Sequence, residues 1–329
     1  MNRRLIILTA ALALAVTGCT SQGEPTTAKA KVTLAFSAWP GWFPWQVAQE
    51  QGLFARNGVD VELKYFDSYT DSLTALATGN VDANSQTLND TLASVSGGAQ
   101  QKIVLVNDNS TGNDQIIVAE GVSSVADLKG KTVAVEQSTV DHYLLLLALQ
   151  KAGMKESDIV LKPLLTDAAA AAFASGQVDA VGAFAPFTSD ALKRPGSKVL
   201  TSSKDFPGAI PDHLVFTADF VSAHPQEVQA VVKTWFETLA WIQANKEAAI
   251  AIMAKKAGVT VEEYRGYDAG TTIFTREQNL AAFTNGNTPA NLNYQAALIA
   301  QFLVDTKLAD TKPSLDGLFE PKFVQAVTG

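Results

Sequence analysis

The sequence predicts an α/β protein of two lobes, each with a mixed β-sheet built from βαβ units and flanked by helices, with a cleft between the lobes. Three observations predict this fold class. Apolar strand patterns alternate with helical patterns, one stretch of the chain recurs later, and two polar, turn-rich segments separate the strands into groups. The length of 329 residues suits two domains of about 150 residues each.

The start of the chain is predicted to be a targeting segment. Residues 1–18 combine a basic start with an apolar run that is shorter than the roughly 20 residues of a membrane span, which is typical of a signal peptide. Residues 16–19 (Val-Thr-Gly-Cys) resemble the bacterial lipoprotein motif, and this resemblance implies that Cys19 is lipidated after cleavage. Polar residues dominate 19–31, so we predict a flexible tether there.

The repeat pairs two α/β units. Residues 75–83 (Ala-Leu-Ala-Thr-Gly-Asn-Val-Asp-Ala) recur in pattern at 172–180 (Ala-Phe-Ala-Ser-Gly-Gln-Val-Asp-Ala). In each copy an alanine-rich helix ends at a glycine, which is favoured in a left-handed C-terminal cap, and a strand follows. The preceding elements match in order, as strands 32–36 and 132–136, helices 44–52 and 140–152, strands 59–66 and 158–162, and helices 71–78 and 167–175.

The two lobes need not be consecutive in the chain. We predict hinge crossings between them at 108–114 and 206–213, because these polar stretches lie between apolar strands. One lobe then combines 32–107 with 214–329, and the other spans 115–205. The last third is predicted to be mainly helical, with helices at 225–243, 245–256, 261–266, 276–284 and 293–308.

Composition excludes several classes of protein. Hydrophobic residues make up 47% and charged residues 18%, so the chain can bury a core. Lys and Arg total 25 against 33 Asp and Glu, and the net charge of −8 argues against a nucleic-acid partner. A single cysteine excludes a disulfide within the chain and a cysteine-based zinc site, and with three histidines we predict neither metal nor cofactor.

Several motifs occur in the order typical of one family of bacterial binding proteins. They cover about 32–190 and lie at 52–61 (Gly-Leu-Phe-Ala-Arg-Asn-Gly-Val-Asp-Val), 77–82, 125–133, 138–145, 148–153 and 176–180. The chain resembles the nitrate/sulfonate/taurine-binding family of periplasmic proteins that serve ABC importers. This resemblance implies a type II periplasmic-binding-protein fold, delivery of a ligand to a membrane permease, and no chemistry on the ligand.

Two positions depart from the pattern of that family. Sulfonate-binding members carry an acidic residue before a Pro-Phe pair in the second lobe, where this chain has Ala185 before Pro186 and Phe187. They also carry a glycine before the serine that starts a helix, where this chain has Gln137 before Ser138. Because both positions face the cleft in the family, the class of ligand stays open.

Ligands of parallel α/β sheets bind beyond the carboxyl ends of the strands. This rule nominates the loops that follow the predicted strands, together with the hinge crossings. We therefore predict a ligand-binding set and no catalytic residue. The predicted set is Ser37, Trp39, Trp42, Asp67, Gln86, Thr87, Asp108, Asp114, Glu136, Ser138, Thr139, Phe184 and Asp212.

The charges in these loops indicate the ligand. The loops contain acids and tryptophans but no lysine or arginine. Such a cleft favours a cationic or neutral nitrogen-rich ligand, such as an amine or guanidinium, because each aromatic ring can stabilise a cation by about 0.5–2 kcal/mol. We expect Glu136 to pair with an amidinium or guanidinium group through two hydrogen bonds.

Two alternatives stay open. Ser138 and Thr139 precede a helix predicted to begin near Val140, and the N–H groups and dipole of its first turn suit sulfonate or taurine, nitrate or bicarbonate. A secreted enzyme that uses the cleft carboxylates is the second alternative. No Gly-x-Ser-x-Gly motif supports a serine hydrolase, and 130–132 (Gly-Lys-Thr) leads into a strand rather than the helix of a phosphate loop.

We predict a binding protein rather than an enzyme. Its lobes close on a small ligand, which shifts the population toward the closed form, and the closed form meets the ABC permease and ATP-binding subunits. We expect a monomer on the extracytoplasmic face of a bacterial membrane, held there by the lipid on Cys19, with no nucleic-acid partner.

Overall fold

The computed structural model describes residues 30–328. The predicted signal peptide, Cys19 and most of the predicted tether lie outside these residues. Lys31, the last residue of the predicted tether, begins the first strand, because its backbone pairs with the neighbouring strand at Asp60. No helix within 30–328 has both the length and the apolar character needed to cross a membrane.

Strands and helices alternate through most of the described chain, and helices dominate its last third. The first part comprises β1 (Lys31–Phe36), α1 (Pro44–Glu50), α2 (Leu53–Arg56), β2 (Asp60–Tyr65), α3 (Tyr69–Ala77), β3 (Ala83–Thr87), α4 (Leu88–Ser96) and β4 (Gln101–Ser110). The middle part comprises β5 (Asp114–Val118), β6 (Thr132–Val135), α5 (Val140–Lys151), β7 (Val160–Pro163), α6 (Thr166–Ala174), β8 (Ala180–Phe184), α7 (Phe187–Ala191) and β9 (Lys198–Ser202).

The last part returns to the first sheet and then becomes helical. It comprises β10 (Pro211–Thr217), α8 (Ala218–Ala223), α9 (Pro225–Ala244), α10 (Lys246–Ala257), α11 (Val261–Gly266), β11 (Thr271–Ile273), α12 (Arg276–Ala282), α13 (Leu292–Asp305) and α14 (Lys322–Gln325). Short 3₁₀ turns lie at Val125–Leu128, Glu156–Asp158, Ser203–Asp205 and Tyr267–Gly270. The predicted helices of the last third agree with α9 to α13 to within a few residues at their ends.

The first sheet has the strand order β11-β4-β10-β3-β1-β2. In it, β1 pairs in parallel with β2 and β3, whereas β10 is antiparallel to β3 and β4, and β11 is antiparallel to β4. The sheet therefore takes strands from both ends of the described chain. We call this sheet, with the helices that cover it, the first lobe.

The second sheet has the strand order β7-β6-β8-β5-β9 and forms the second lobe. Here β6 pairs in parallel with β7 and β8, and β5 is antiparallel to β8 and β9. Each sheet thus contains three parallel strands, flanked by an antiparallel strand that follows directly on the crossing from the other lobe. The predicted fold class, a two-lobed α/β protein with mixed sheets, is confirmed.

The sequence repeat marks equivalent positions in the two lobes. Gly79 and Gly176, which follow α3 and α6, have φ angles of 72° and 79°, a conformation that glycine adopts without strain. The repeated aspartates Asp82 and Asp179 each accept a backbone N–H from the first parallel strand of their own lobe, at 2.7 and 2.9 Å. Each repeat therefore ties a helix-to-strand turn to the neighbouring strand.

Strand structure extends into both predicted hinge crossings. Asp108 lies within β4 and Asp114 begins β5, so 111–113 connect these two strands. Asp212 likewise lies within β10. Strand pairing uses backbone groups, so polar side chains can occupy a strand without weakening its ladder. The polar side chains of these segments led us to predict loops, whereas the structure continues the strands β4, β5 and β10 into them.

Helices α9 and α10 pack against α1 in the first lobe. Trp45 of α1 is fully buried, and its ring centroid lies 4.6 Å from that of Trp235 in α9. The indole Nε1 of Trp45 donates to Ser85 Oγ at 2.9 Å. Trp45 is thus a core residue, and it anchors the start of α1 directly behind the cleft.

Candidate functional site

A small cavity lies between the lobes at the carboxyl ends of the parallel strands. Its volume is about 10 Å³, which is about the space of one water molecule. The loop after β1, the start of α3 and the end of β3 line it from the first lobe, and the start of β5, the end of β8 and the start of α5 line it from the second. The lining residues are Ala38, Trp39, Trp42, Tyr69, Thr87, Asp114, Val140, Phe184, Ile210 and Asp212.

Four aromatic side chains form a closed ring of contacts, which we call the aromatic cage. Trp39, Trp42 and Tyr69 belong to the first lobe, and Phe184 belongs to the second. Successive ring centroids are 6.4 Å apart for Trp39–Trp42, 5.5 Å for Trp42–Tyr69, 6.1 Å for Tyr69–Phe184 and 6.3 Å for Phe184–Trp39. Both contacts of Phe184 are near-perpendicular edge contacts, which aromatic pairs favour. The cage is therefore complete only when the lobes are closed.

Three buried carboxyl groups, which we call the acidic cluster, lie beside this cage: Asp108, Asp114 and Asp212. Asp108 and Asp212 are register partners on β4 and β10. The indole Nε1 of Trp39 donates to Asp108 Oδ1 at 2.9 Å. Asp108 and Asp212 interact through a side-chain hydrogen bond, and no N–H or hydroxyl group of the described residues donates to Asp108 Oδ2, Asp114 Oδ2 or either carboxyl oxygen of Asp212. Buried polar atoms without partners are rare in native proteins, so these oxygens indicate a missing proton, water or ligand.

Burial decides the protonation of the acidic cluster. Burial raises the pKa of Asp108 to about 7 and that of Asp114 to about 7. Burial, reinforced by the charges of Asp108 and Asp114, raises the pKa of Asp212 well above its usual range. A cation placed among these groups would favour their charged forms and would replace the protons. The cluster can therefore exchange protons for a positively charged solute.

No cationic side chain compensates the acidic cluster, because no lysine or arginine of the described chain lines the cavity. The neighbouring His213 is buried, and burial lowers its pKa to about 3, so the imidazole is neutral. Within residues 30–328, no group of three or more His, Cys, Asp or Glu side chains has a metal-binding arrangement. The described chain therefore places no charged basic side chain beside the acids that line the cavity.

Glu136 follows β6 and lies at the cleft, as predicted, but its carboxylate is engaged by the protein. Its Oε1 accepts from Thr70 N at 3.0 Å and Thr70 Oγ1 at 2.5 Å, and its Oε2 accepts from Thr166 N at 3.2 Å and Thr166 Oγ1 at 2.7 Å. Four donors of the protein thus engage the carboxylate. We therefore do not retain its predicted role as the direct partner of an amidinium or guanidinium ligand.

Asp90 serves a related role from the first lobe. Thr87 Oγ1 donates to its Oδ2 at 2.7 Å, and Asn89 Nδ2 donates to its Oδ1 at 2.8 Å. Burial raises the pKa of Asp90 to about 7, while the N–H of Val140, which begins α5 in the second lobe, favours its charged form. The starts of α3 and α6 face Glu136, and the start of α5 faces Asp90. Carboxylates of the protein thus occupy the positions where helix N-termini would receive an anionic ligand.

Several predicted residues lie outside the cavity. Gln86 is buried in an amide network, in which its Nε2 donates to Thr91 Oγ1 and its Oε1 accepts from Asn84 Nδ2. Ser138 is exposed and Asp67 is exposed at the mouth of the cleft, beside a second small cavity that Ser37 also lines. Thr139 is the residue before α5, and its Oγ1 donates to the Glu136 carbonyl oxygen at 2.8 Å instead of capping the helix.

The structure also adds residues that we did not predict. Tyr69, the first residue of α3, completes the aromatic cage, and its hydroxyl accepts the backbone N–H of Thr87 at 3.0 Å. Its position within residues 67–70, in the loop that follows the second predicted strand, was the available signal. Ile210 and Val140 add apolar surface, for which the sequence offered no signal beyond their closeness to predicted loops.

Comparisons with known proteins agree with this architecture. A family model described as the NMT1-like family matches residues 25–258, which is more than half of the chain. A protein of Brucella abortus (strain 2308), whose name describes it as a binding protein, is 32% identical over 229 residues, which covers 67% of this chain and 70% of the relative. These matches confirm the family-level resemblance predicted from the sequence motifs.

Two relatives from Escherichia coli extend the comparison. The taurine-binding periplasmic protein of strain K12 is 29% identical over 251 residues, covering 73% of this chain and 78% of the relative. The crystal structure of the periplasmic aliphatic sulphonate binding protein superposes with a TM-score of 0.72 at 26% identity, covering 88% of this chain and 97% of that one. The structural likeness therefore extends over both lobes.

Proposed function

Because the chain belongs to the NMT1-like family, we propose that it is a solute-binding protein that captures a small cation between its lobes and delivers it to an ABC importer. The favoured ligand class is an amine, amidinium or guanidinium ion, or a neutral nitrogen-rich molecule that donates similar hydrogen bonds. Relatives named as periplasmic binding proteins support the solute-binding role. The ligand class rests on the chemistry of the cavity.

The acidic cluster beside the aromatic cage carries this proposal. Four buried carboxyl oxygens on Asp108, Asp114 and Asp212 receive no hydrogen bond from an N–H or hydroxyl group of the described residues. A nitrogen cation supplies several N–H donors and a positive charge, so it could satisfy these oxygens at once. The faces of the surrounding aromatic rings favour a cation by about 0.5–2 kcal/mol each.

An organosulfonate is the second candidate, because relatives are named for taurine and for aliphatic sulphonates. A simple anion fits this cavity poorly, since it would face the acidic cluster, and Glu136 and Asp90 already occupy the helix N-termini. A sulfonate that also carries an ammonium group, as taurine does, could place that group at the acidic cluster. Taurine is therefore the most informative anionic competitor.

The proposed mechanism is capture by lobe closure without chemical change. The cavity of about 10 Å³ is smaller than a guanidinium ion, so Phe184 and Trp39 must move apart to admit any solute larger than water. A ligand that contacts both lobes favours the closed form by its difference in affinity for the two forms. We further propose a monomer, tethered through lipidated Cys19 to a bacterial membrane outside the cytoplasm, that presents the closed form to a permease with ATP-binding subunits.

A ligand panel tests the proposal. Thermal unfolding of the purified protein is followed at pH 7.5 with guanidinium, small amines, pyrimidines, taurine, alkyl sulfonates, nitrate and bicarbonate, and positive compounds are titrated by calorimetry. We expect the cations or pyrimidines to raise the melting temperature and to be recovered unchanged by mass spectrometry. Stabilisation by alkyl sulfonates or nitrate alone would overturn the ligand class, and conversion of a bound compound would overturn the role as a binding protein.

A further inference from the structure

Thr70, in the first turn of α3, meets the second lobe at the carboxylate of Glu136. Thr70 is the second residue of α3 and belongs to the first lobe, whereas Glu136 follows β6 in the second lobe. The backbone N–H and the hydroxyl of Thr70 both donate to Glu136 Oε1, at 3.0 and 2.5 Å. These two hydrogen bonds therefore cross the cleft.

The Thr70 amide depends on this contact for its hydrogen bond. The first four N–H groups of a helix have no carbonyl partner within the helix, and Thr70 lies within this first turn. A carboxylate at this position is also favoured by the positive end of the helix dipole. When the lobes open, the amide loses its protein partner and faces water.

The second lobe holds the carboxylate in place for this contact. Thr166, at the start of α6, donates its N–H and its hydroxyl to Glu136 Oε2, at 3.2 and 2.7 Å. Both contacts of Thr166 with Glu136 lie within the second lobe, so they do not depend on the lobes meeting. The three residues Thr70, Glu136 and Thr166 form what we call the Glu136 bridge.

We propose that Glu136 is a positioning residue that stabilises the closed form through Thr70 whether or not a ligand is bound. One oxygen is held by the lobe that carries Glu136, and the other receives two charge-assisted hydrogen bonds from the opposite lobe. The bridge thus lowers the cost of closure and lengthens the life of the closed state. This inference concerns closure alone, and it stands whichever ligand class the cavity accepts.

Hydrogen exchange at the Thr70 amide tests the bridge without any ligand. In the purified ligand-free protein, we expect this amide to exchange at least about tenfold more slowly than a free first-turn amide. In Glu136→Gln that protection should be lost, because a neutral amide accepts more weakly. The matched control is Asp127→Asn, which weakens a carboxylate that accepts from Ser123 and Ser124 within one lobe. An unprotected Thr70 amide in the native protein would overturn the proposal.

A matched pair of valine substitutions separates closure from local helix capping. Thr70→Val and Thr166→Val each remove one hydroxyl that contacts Glu136. Only the Thr70 hydroxyl crosses the cleft, whereas the Thr166 hydroxyl contacts both Glu136 and Asp141 within the second lobe. We expect Thr70→Val to increase the radius of gyration in small-angle X-ray scattering more than Thr166→Val does, with folded circular dichroism spectra for both variants. Equal radii for the native protein and Thr70→Val would overturn the role in closure, while leaving the ligand class untouched.

Discussion

The acidic cluster and the Glu136 bridge both place buried carboxyl groups in one cleft. They differ in how many hydrogen-bond donors of the protein reach those carboxyl groups. Glu136 accepts from four protein donors. Asp114 and Asp212, by contrast, present oxygens that receive no hydrogen bond from an N–H or hydroxyl group of the described residues. A fully engaged carboxylate stabilises a protein conformation, whereas an unengaged one requires a proton or a ligand. Burial alone therefore does not distinguish a binding residue from a positioning residue.

The largest expected effect comes from removing a charge in the acidic cluster. Asp114→Asn keeps the shape of the side chain but removes the charge, so it should weaken the binding of the best cation in the panel by about a hundredfold. Calorimetry at pH 7.5 measures this affinity, with Asp127→Asn as a control carboxylate remote from the cavity. Unchanged affinity in Asp114→Asn would show that the cation binds elsewhere.

Cation affinity should also depend on pH. Because burial raises the pKa of Asp108 and Asp114 to about 7, the free protein holds protons on these groups below neutral pH, and a cation must displace them. Below pH 7, we expect the affinity for the cation to rise by about tenfold per pH unit for each proton that the cation displaces. Above pH 7 we expect the affinity to level off. Calorimetry at pH 5.5, 6.5 and 8 tests this slope. An affinity that falls with rising pH would instead indicate an anionic ligand.

The unfolding free energy of the ligand-free protein should depend on pH through the same two carboxyl groups, Asp108 and Asp114. A carboxyl whose pKa is raised on folding stabilises the fold at low pH, and that stability is lost as pH rises from about 4 to about 7. Relative to the double variant Asp108→Asn, Asp114→Asn, we expect the native protein to lose about 5 kcal/mol of unfolding free energy between pH 5 and pH 8, because each carboxyl group contributes about 2.7 kcal/mol.

Urea denaturation at the two pH values provides the measurement. The opposite contribution of His213, whose pKa is lowered to about 3, is common to both proteins and cancels in the comparison. Parallel pH profiles for the native protein and the double variant would contradict the protonation that we assign to the acidic cluster.

The smallest expected effect is a packing change beside the acidic cluster. A Cβ at Gly41 would lie 1.9 Å from Asp108 Oδ2, so the carboxyl group or the loop that carries Trp39 must move. We expect Gly41→Ala to reduce the unfolding free energy by about 1–3 kcal/mol in urea denaturation. Gly266→Ala is the control, because a Cβ there meets no atom within 4 Å. Equal stability of the two variants would show that this loop adapts freely.

The elements of the fold were predictable because their signals are local. The Gly-x-Val-Asp repeat placed equivalent turns in both lobes, and Gly79 and Gly176 adopt the expected left-handed conformation. The candidate site was predictable only in part. Trp39, Trp42 and Trp45 lie close together in sequence and are similarly apolar, yet Trp45 packs on Trp235 in the core while the other two line the cleft.

The remaining differences arise from contacts between distant parts of the chain. Gln86 was predicted at the cleft because it lies near the end of β3, but strand alternation and the amide of Gln101 place it in a buried network. Glu136 was predicted to contact the ligand because it follows a strand of the second lobe. No sequence pattern indicates that Thr70 and Thr166 converge on its carboxylate. Hydrogen-bond partners 66 and 30 positions away leave no mark on the local pattern.

The sequence by itself determined the alternation of strands and helices, the repeat, and an acidic, tryptophan-bearing set of loops without basic residues. These follow from composition and short-range spacing, which the residues carry wherever they are placed. Only the tertiary structure decided which carboxyl groups are engaged and which are not, because the donors come from other strands and from the other lobe. That division separates the acidic cluster from the Glu136 bridge, and hence ligand recognition from lobe closure.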